Sequence, residues 1–226
     1  FVQPVEEVAA LCRTRGVPLI VDASQSAGIL TLDLPALGAA FIAMPGHKGL
    51  YGPQGTGVLL CGKDVPVRTL LEGGTGSISI QQEMPDFLPD RLEAGTHNMP
   101  GIAGLLAGVR FVRQLGPEAI CAGERQLTFQ AAEGLRRLPG LQVFALPDLA
   151  AQAGVLSIVP ERMDAEALGA ALADRGIAVR AGLHCAPLAH RTAGTLDTGT
   201  VRLSFSHWNT REEVSRFLVA MGEILR

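Results

Sequence analysis

Pro45-Gly-His-Lys-Gly-Leu-Tyr-Gly-Pro-Gln-Gly-Thr-Gly57 is a glycine-rich stretch between two short apolar runs, Phe41–Met44 and Gly57–Cys61. Short apolar runs bounded by glycine and proline are typical of buried β-strands. A third run, Val17–Asp22, lies upstream and ends on an acidic residue. Strands that alternate with helical segments and glycine-rich loops predict an α/β fold with a mostly parallel sheet.

The rest of the chain changes character near its middle. Periodicity and capping signals predict helices over residues 4–15, 100–115, 117–138, 164–175 and 210–225. Alternating patterns predict half-buried strands over residues 142–145, 155–159, 176–180 and 200–205. We therefore predict a first domain over 1–115, a connecting helix within 116–140, and a small α+β domain over 141–226.

Composition excludes several classes of protein. The 226 residues are 47% hydrophobic and carry a formal net charge of -3, which argues against a disordered chain or a nucleic-acid partner. An apolar run of membrane-spanning length is missing, and the start has neither a Met nor a signal-peptide pattern. The four cysteines form no CxxC pair, so we expect no metal site and a reducing, cytoplasmic location.

Asp22 and Lys48 each follow a predicted strand. Ligands of open α/β sheets bind beyond the carboxyl ends of the strands, so both side chains can reach one crevice. A lysine that forms a Schiff base and an aspartate that pairs with the pyridinium nitrogen are what pyridoxal 5'-phosphate (PLP) requires. Gln25, one short turn after Asp22, could donate to the ring phenolate oxygen. The alternatives are a helix-capping aspartate and a surface lysine.

Val21-Asp-Ala-Ser-Gln-Ser26, together with the stretch 45–57, resembles the class V aminotransferase family, and cysteine desulfurases above all. The resemblance implies that Lys48 is the Schiff-base lysine and that Asp22 and Gln25 contact the ring. It implies that His47 lies near the phosphate or the Schiff base. Pro45 stands where the family usually has serine, so a water or a backbone amide would have to replace that hydroxyl.

Arg91-Leu-Glu-Ala-Gly-Thr-His-Asn98 resembles a second motif of the family. By this resemblance, Thr96 reaches across a dimer interface to the cofactor phosphate of the partner, where a hydroxyl and a nearby amide can both donate. A helix N-cap is the alternative role for Thr96, and the two roles are compatible. We expect Arg91 and Glu93 to form an ion pair that braces the loop.

Val179-Arg-Ala-Gly-Leu-His-Cys-Ala-Pro187 carries the sharpest chemical signal. A reactive cysteine needs cationic neighbours and exposure, and Arg180 and His184 lie within five residues of Cys185. The alternative is a buried, inert thiol. The segment resembles the cysteine loop of the second group of cysteine desulfurases, in which the cysteine becomes a persulfide. Arg202 matches the family arginine that binds the substrate carboxylate, Arg180 is a second anion contact, and we expect His184 to contact the substrate as well.

The resemblance implies a PLP-dependent transferase of fold type I, aspartate aminotransferase-like, with a partial large domain because family members are longer at the N-terminus. It implies a cysteine desulfurase that converts L-cysteine to L-alanine and leaves a persulfide, with Lys48, Cys185 and His47 as catalytic residues. A homodimer, a sulfur-acceptor protein and a role in iron–sulfur cluster assembly are also implied. The alternatives are a selenocysteine lyase, another class V enzyme, or an inactive fragment that binds no PLP.

Overall fold

A computed structural model describes residues 1–63, 65–147 and 151–226 of the chain. It contains two compact units, residues 4–117 and residues 118–226, and residues 1–3 belong to the second unit. Helices and strands occur in both units, which confirms the predicted mixed α/β class. The assignment of domains over 1–115, 116–140 and 141–226 stays a prediction.

The unit of residues 4–117 contains three helices, three strands and a 3-10 turn. They are α1 (Val5–Arg15), β1 (Ile20–Asp22), α2 (Leu34–Leu37), β2 (Phe41–Pro45), β3 (Gly57–Cys61), the 3-10 turn Asp90–Leu92 and α3 (Met99–Leu115). The sheet order is β1-β2-β3, with β1 parallel to β2 and β2 antiparallel to β3. The carboxyl ends of β1 and β2 therefore lie side by side, which places Asp22 near the loop that follows β2.

Close backbone packing fixes that loop. Gly108 of α3 lies so close to the backbone of Leu50 and Tyr51 that a Cβ at this position would collide with it. Leu105, one turn earlier, is 7% exposed and joins Ile42 of β2 in the buried cluster. The glycine-rich loop is thus held against α3, and glycine at 108 is what permits the approach.

The unit of residues 118–226 is built around an antiparallel sheet of order β4-β5-β7-β6. Its elements are α4 (Pro117–Leu135), β4 (Leu141–Phe144), β5 (Val155–Pro160), α5 (Ala165–Ala173), β6 (Arg180–Gly182), α6 (Pro187–Ala193), β7 (Thr200–Ser204) and α7 (Arg211–Ile224). Side chains of α4, α5, α7, β5 and β7 form one buried cluster. The predicted capping box of the last helix is confirmed at Thr210 and Glu213.

One prediction of secondary structure is wrong in this unit, and one helix was missed. The strand expected over 176–180 begins only at Arg180, because the amides of Gly176 and Ile177 bond to the carbonyls of Ala173 and Leu172 at the end of α5. Helix α6 was not predicted, although Pro187 stands at its first turn as a helix start favours. Within the described ranges, every helix is too short or too polar to cross a bilayer.

Candidate active site

The candidate residues fall into two groups, one on each unit. Asp22, Gln25, His47, Lys48 and Thr96 lie on the unit of residues 4–117, at strand ends and in loops. Arg180, His184, Cys185 and Arg202 lie on the unit of residues 118–226, on β6, β7 and the loop that follows β6.

Asp22 and Lys48 are close enough to interact electrostatically. The amide of Ser24 donates to Asp22 Oδ1 at 2.8 Å, and the Ser24 hydroxyl also bonds to the carboxylate. These bonds hold the pKa of Asp22 below its ordinary value, and the charge of Lys48 acts in the same direction. Asp22 is therefore ionised near neutral pH, which is the state that a partner of a pyridinium nitrogen needs.

Hydrogen bonds fix the backbone around Gly46, so Lys48 extends from a rigid turn. The amide of Gly46 donates to the carbonyl of Thr56 at 2.8 Å, and its carbonyl accepts from Gly52 at 2.7 Å. A Cβ at Gly46 would collide with the Thr56 hydroxyl, while His47 and Lys48 themselves are exposed. Because the Gly46 amide is already bonded, it cannot replace the hydroxyl that the family has at Pro45.

Gln25, His47 and Thr96 are exposed, and their side chains form no hydrogen bond with any residue that the structure describes. Their predicted roles in holding a cofactor therefore stay predictions. The cap of α3 is Asn98, whose side chain accepts from the Gly101 amide at 3.1 Å, so the alternative role of Thr96 as the N-cap is wrong.

The predicted ion pair between Arg91 and Glu93 is also wrong. Arg91 Nη1 lies 2.6 Å from Asp86 Oδ1, and Glu93 Oε2 lies 3.1 Å from His97 Nδ1. Arg91 and Glu93 are separated because the 3-10 turn ends between them, and each finds a partner at a longer sequence spacing. The motif still braces its loop, but through two pairs in place of one.

Arg180 and Arg202 face each other directly across β6 and β7. Opposite positions of an antiparallel pair place their side chains on one face of the sheet, and like charges at such positions repel. Arg202 Nε donates to Ser204 Oγ at 3.1 Å, and neither guanidinium forms an ion pair with a described residue. Two guanidiniums without a counter-ion form a site suited to an anion such as a carboxylate.

Cys185 is exposed on the loop between β6 and α6. His184 and Cys185 have φ values of 53° and 60°, in the left-handed region that side chains with a Cβ avoid. His184 Nε2 lies 3.0 Å from Thr200 Oγ1 and 3.2 Å from the Thr200 carbonyl oxygen. The alternative of a buried, inert thiol is therefore wrong, and Cys185 stands on a loop whose conformation is held by a neighbour.

Burial lowers the pKa of His184, and the charges of Arg202, His190 and Arg180 lower it further. The hydrogen bond to the Thr200 carbonyl acts in the opposite direction. His184 is consequently neutral near pH 7. It is not the cationic neighbour that the sequence suggested for Cys185, and the two arginines supply the positive charge around the loop.

Ser24 and Thr200 are partners that the sequence analysis missed. The spacing of Asp22 and Ser24 is that of an Asx-turn, which could have been recognised from the sequence. Thr200 is fifteen positions from Cys185 and meets the loop only because β7 pairs with β6 at Gly182. No local signal in the sequence marks that contact.

Comparisons with known proteins agree with this geometry. The class V aminotransferase profile matches residues 1–217, and the chain belongs to the class V aminotransferase family. A probable cysteine desulfurase of Xylella fastidiosa strain 9a5c is 36% identical over 230 residues, covering 99% of this chain and 53% of the relative. A probable cysteine desulfurase of Pyrococcus abyssi is 35% identical and is covered to 56%.

Solved structures show the same likeness. The apo cysteine desulfurase of Thermococcus onnurineus NA1 superposes with a TM-score of 0.89 at 35% identity, over 98% of this chain and 56% of that one. The cysteine desulfurase CsdA of Escherichia coli, in an S-sulfonic acid form, gives a TM-score of 0.88 at 29% identity, over 99% and 56%. The chain thus spans about half the length of the curated relatives it matches.

The family implies PLP, and the residues of the first group fit that cofactor. Lys48 supplies an exposed amine from a closed turn, and Asp22 supplies a carboxylate whose pKa is held low. The packed glycine at position 46 leaves no room for a side chain beside Thr56, which fixes the backbone from which Lys48 extends. An amine and an anion at adjacent strand ends are the donor set that PLP requires.

Proposed function

We propose that this chain is part of a PLP-dependent cysteine desulfurase that removes sulfur from L-cysteine and gives L-alanine. The observation that carries the proposal is the exposed thiol of Cys185 on a left-handed loop after β6, where Arg180 faces Arg202 and neither arginine has an ion-pair partner among the described residues. The matched relatives described as cysteine desulfurases support the same reaction.

Five residues of the first unit would hold the cofactor. In this proposal Lys48 binds PLP through Nζ, Asp22 pairs with the ring nitrogen, and Gln25 and His47 contact the ring oxygen and the phosphate side. Thr96 contacts the phosphate of a second copy. When bound, PLP supplies an electron sink for the pair left at the substrate α-carbon. Lys48 Nζ, once released from the cofactor, takes the α-proton.

Arg202 binds the substrate carboxylate, and Arg180 adds a second positive charge opposite it. A guanidinium suits this task because it can donate two parallel hydrogen bonds to one carboxylate. The repulsion between two facing arginines is relieved when an anion binds between their charges. The same anion fixes the direction in which the substrate side chain points, which is what a sulfur transfer needs.

The Cys185 thiolate then attacks the sulfur of the substrate. A sulfur–sulfur bond forms while the Cβ–S bond of the substrate breaks, and the electron pair of that bond stays with the carbon skeleton. That skeleton takes the substrate thiol proton at Cβ, regains a proton at Cα from Lys48 Nζ, and leaves as alanine. Cys185 is left as a persulfide, from which an acceptor thiol removes the outer sulfur. We also propose a homodimer, a sulfur-acceptor protein, a role in iron–sulfur cluster assembly and a cytoplasmic location. The homodimer follows from the role given to Thr96.

Three samples test the proposal: the unmodified chain, Cys185→Ser, and the matched control Cys12→Ser on α1. Each is mixed with PLP and L-cysteine, and alanine, visible cofactor absorbance and persulfide mass are measured. We expect Cys185→Ser to abolish alanine and persulfide but keep the absorbance, and Cys12→Ser to behave as the unmodified chain. Alanine release by Cys185→Ser would contradict the role of Cys185. An unmodified chain without cofactor absorbance would favour an inactive fragment.

A further inference from the structure

The loop that carries Cys185 has an unfavourable backbone. His184 and Cys185 are consecutive residues with positive φ, and neither is glycine. The left-handed region brings Cβ close to the following carbonyl oxygen, so two such residues in a row need contacts that hold them there. The loop has one internal backbone bond, from the Ala186 amide to the Leu183 carbonyl at 2.9 Å. The further contact that keeps these two residues in the left-handed region has to come from a side chain.

His184 provides that hold through its contact with Thr200. Thr200 is 4% exposed and pairs with Gly182 across β6 and β7, so it is a rigid anchor. His184 Nε2 lies 3.2 Å from the Thr200 carbonyl oxygen, and a carbonyl can only accept. The proton of a neutral ring therefore sits on Nε2, and the Thr200 hydroxyl at 3.0 Å completes the contact.

The other ring nitrogen supports the neutral state. His184 Nδ1 is buried and has no hydrogen-bond partner among the described residues. A proton on Nδ1 would be a buried donor without an acceptor. It would also add charge to a ring whose pKa is already lowered by electrostatic interaction with Arg202, His190 and Arg180. The His190 ring is centred 5.7 Å away, and its own Nδ1 is engaged with the Thr195 hydroxyl at 2.8 Å. No counter-charge among these neighbours favours a protonated His184.

We propose that His184 is a positioning residue, whose neutral, Nε2-protonated ring holds Cys185 in the left-handed loop by bonding to Thr200. The inference rests on the proposed role of Cys185 as the sulfur-receiving thiol. It replaces the two roles that the sequence suggests for His184, a cation beside the thiolate and a substrate contact. In the new role His184 acts through the backbone of its neighbour and exchanges no proton with the reacting groups.

The protonation state is tested directly on the unmodified chain. Long-range proton–nitrogen correlation spectra of the uniformly ¹⁵N-labelled protein separate the two neutral tautomers from the protonated ring, and a His184→Gln sample assigns the signals. We expect the Nε2–H neutral form of His184 at pH 7. A protonated ring at this pH, or the Nδ1–H form, would overturn the proposal.

The positioning role is tested by hydrogen exchange in the loop. Loss of the hydrogen-bonded tether should speed exchange of the Ala186 amide, which bonds to the Leu183 carbonyl, about tenfold in His184→Ala, because alanine has no side-chain donor for the Thr200 carbonyl and one ordinary hydrogen bond is lost. Thr200→Val should have a smaller effect because the carbonyl acceptor remains, and Thr200→Ser should match the unmodified chain. Thr198→Val is the matched control, since the Thr198 hydroxyl contacts only the adjacent Gly199 carbonyl. Unchanged exchange in His184→Ala would overturn the proposal.

The pH dependence of Cys185 alkylation separates a positioning residue from a cation. The rate of reaction with iodoacetamide at Cys185 is followed by mass spectrometry across pH. A positioning role predicts the same pH midpoint in His184→Gln as in the unmodified chain. A midpoint about one pH unit higher would show that His184 stabilises the thiolate as a cation and would overturn the proposal. None of these readouts needs PLP or substrate, so they stand or fall separately from the desulfurase activity.

Discussion

The two units of the chain differ in how completely each encloses its own hydrophobic residues. In the unit of residues 118–226, the central side chains Ile158, Leu168 and Val201 are each fully buried. In the unit of residues 4–117, Ile42 is also fully buried, but Ile20 on β1 is 67% exposed and Leu59 on β3 is 48% exposed. Helices contribute side chains to the buried cluster of each unit, but the sheet of residues 4–117 leaves Ile20 and Leu59 largely exposed to water.

A wide groove marks the open face of the first unit. A cavity of about 1380 Å³ runs along β2 and β3 and is lined by apolar side chains that include Val58, Leu60, Ile102 and Leu105. Exposed apolar surface contributes little to folding free energy, while buried apolar surface contributes about 25 cal/mol per Å². The two units should therefore differ in stability, and the unit that carries Cys185 and Arg202 should be the more robust of the two.

The largest effect on stability is expected when a buried side chain in the core of residues 118–226 is shortened. Leu168→Ala removes a fully buried side chain of α5 and should lower the free energy of unfolding by about 2–5 kcal/mol. Leu59→Ala on the open face should change it by less than about 0.5 kcal/mol. Urea unfolding followed by Trp208, the one tryptophan of the chain, and by circular dichroism measures both. Equal losses would contradict the difference between the units.

The next largest effect on stability is expected from a buried acidic residue in the unit of residues 118–226. Glu124 of α4 is 3% exposed, and burial raises its pKa to about 7 from 4.5. Between these two pH values the folded chain keeps the Glu124 proton, whereas the unfolded chain releases it. The protonated carboxyl therefore stabilises the folded chain fully below pH 4.5, and this stabilisation is lost as pH rises to about 7. The expected loss over this window is about 3 kcal/mol.

Glu124→Gln tests this expectation because the amide keeps the shape of the carboxyl and does not titrate. The variant should lose the fall in stability between pH 4.5 and 7, measured as the urea midpoint reported by Trp208. Glu133→Gln on the same helix is the matched control, because its side chain is 41% exposed and its removal should leave the slope unchanged. A slope that persists in Glu124→Gln would show that another group titrates.

The sequence predicts features that depend on local pattern. Gly16 ends α1 with a φ of 63°, Thr210 and Glu213 form the capping box, and the strands around the glycine-rich stretch begin and end close to their predicted bounds. These features follow from one residue or a few neighbours, so their physical causes are present in the local sequence.

Features that depend on contacts between distant segments could not be predicted in this way. The tether from His184 to Thr200 exists only because two strands pair, and the neutral state of His184 follows from burial and from Arg202 on the next strand. The contacts of Arg91 with Asp86 and of Glu93 with His97 are local, but they depend on where the 3-10 turn ends, which the residue pattern did not indicate. The residue types of the candidate site were therefore predictable, but the protonation state and the partners were not.

The smallest effect is expected at two helix caps, one on each unit. Thr210 Oγ1 accepts from the Glu213 amide at 3.2 Å, and Asn98 Oδ1 accepts from the Gly101 amide at 3.1 Å. Replacing either residue with alanine removes one acceptor at a helix start, at a cost of about 1 kcal/mol.

Thr210→Ala should shift the unfolding transition reported by Trp208 by that amount, because α7 packs into the buried core of residues 118–226. Asn98→Ala should leave this transition in place and speed amide exchange in the first turn of α3. If Asn98→Ala instead shifts the Trp208 transition as far as Thr210→Ala does, the two units unfold as one cooperative structure, and the open face of the first unit does not make it separately unstable.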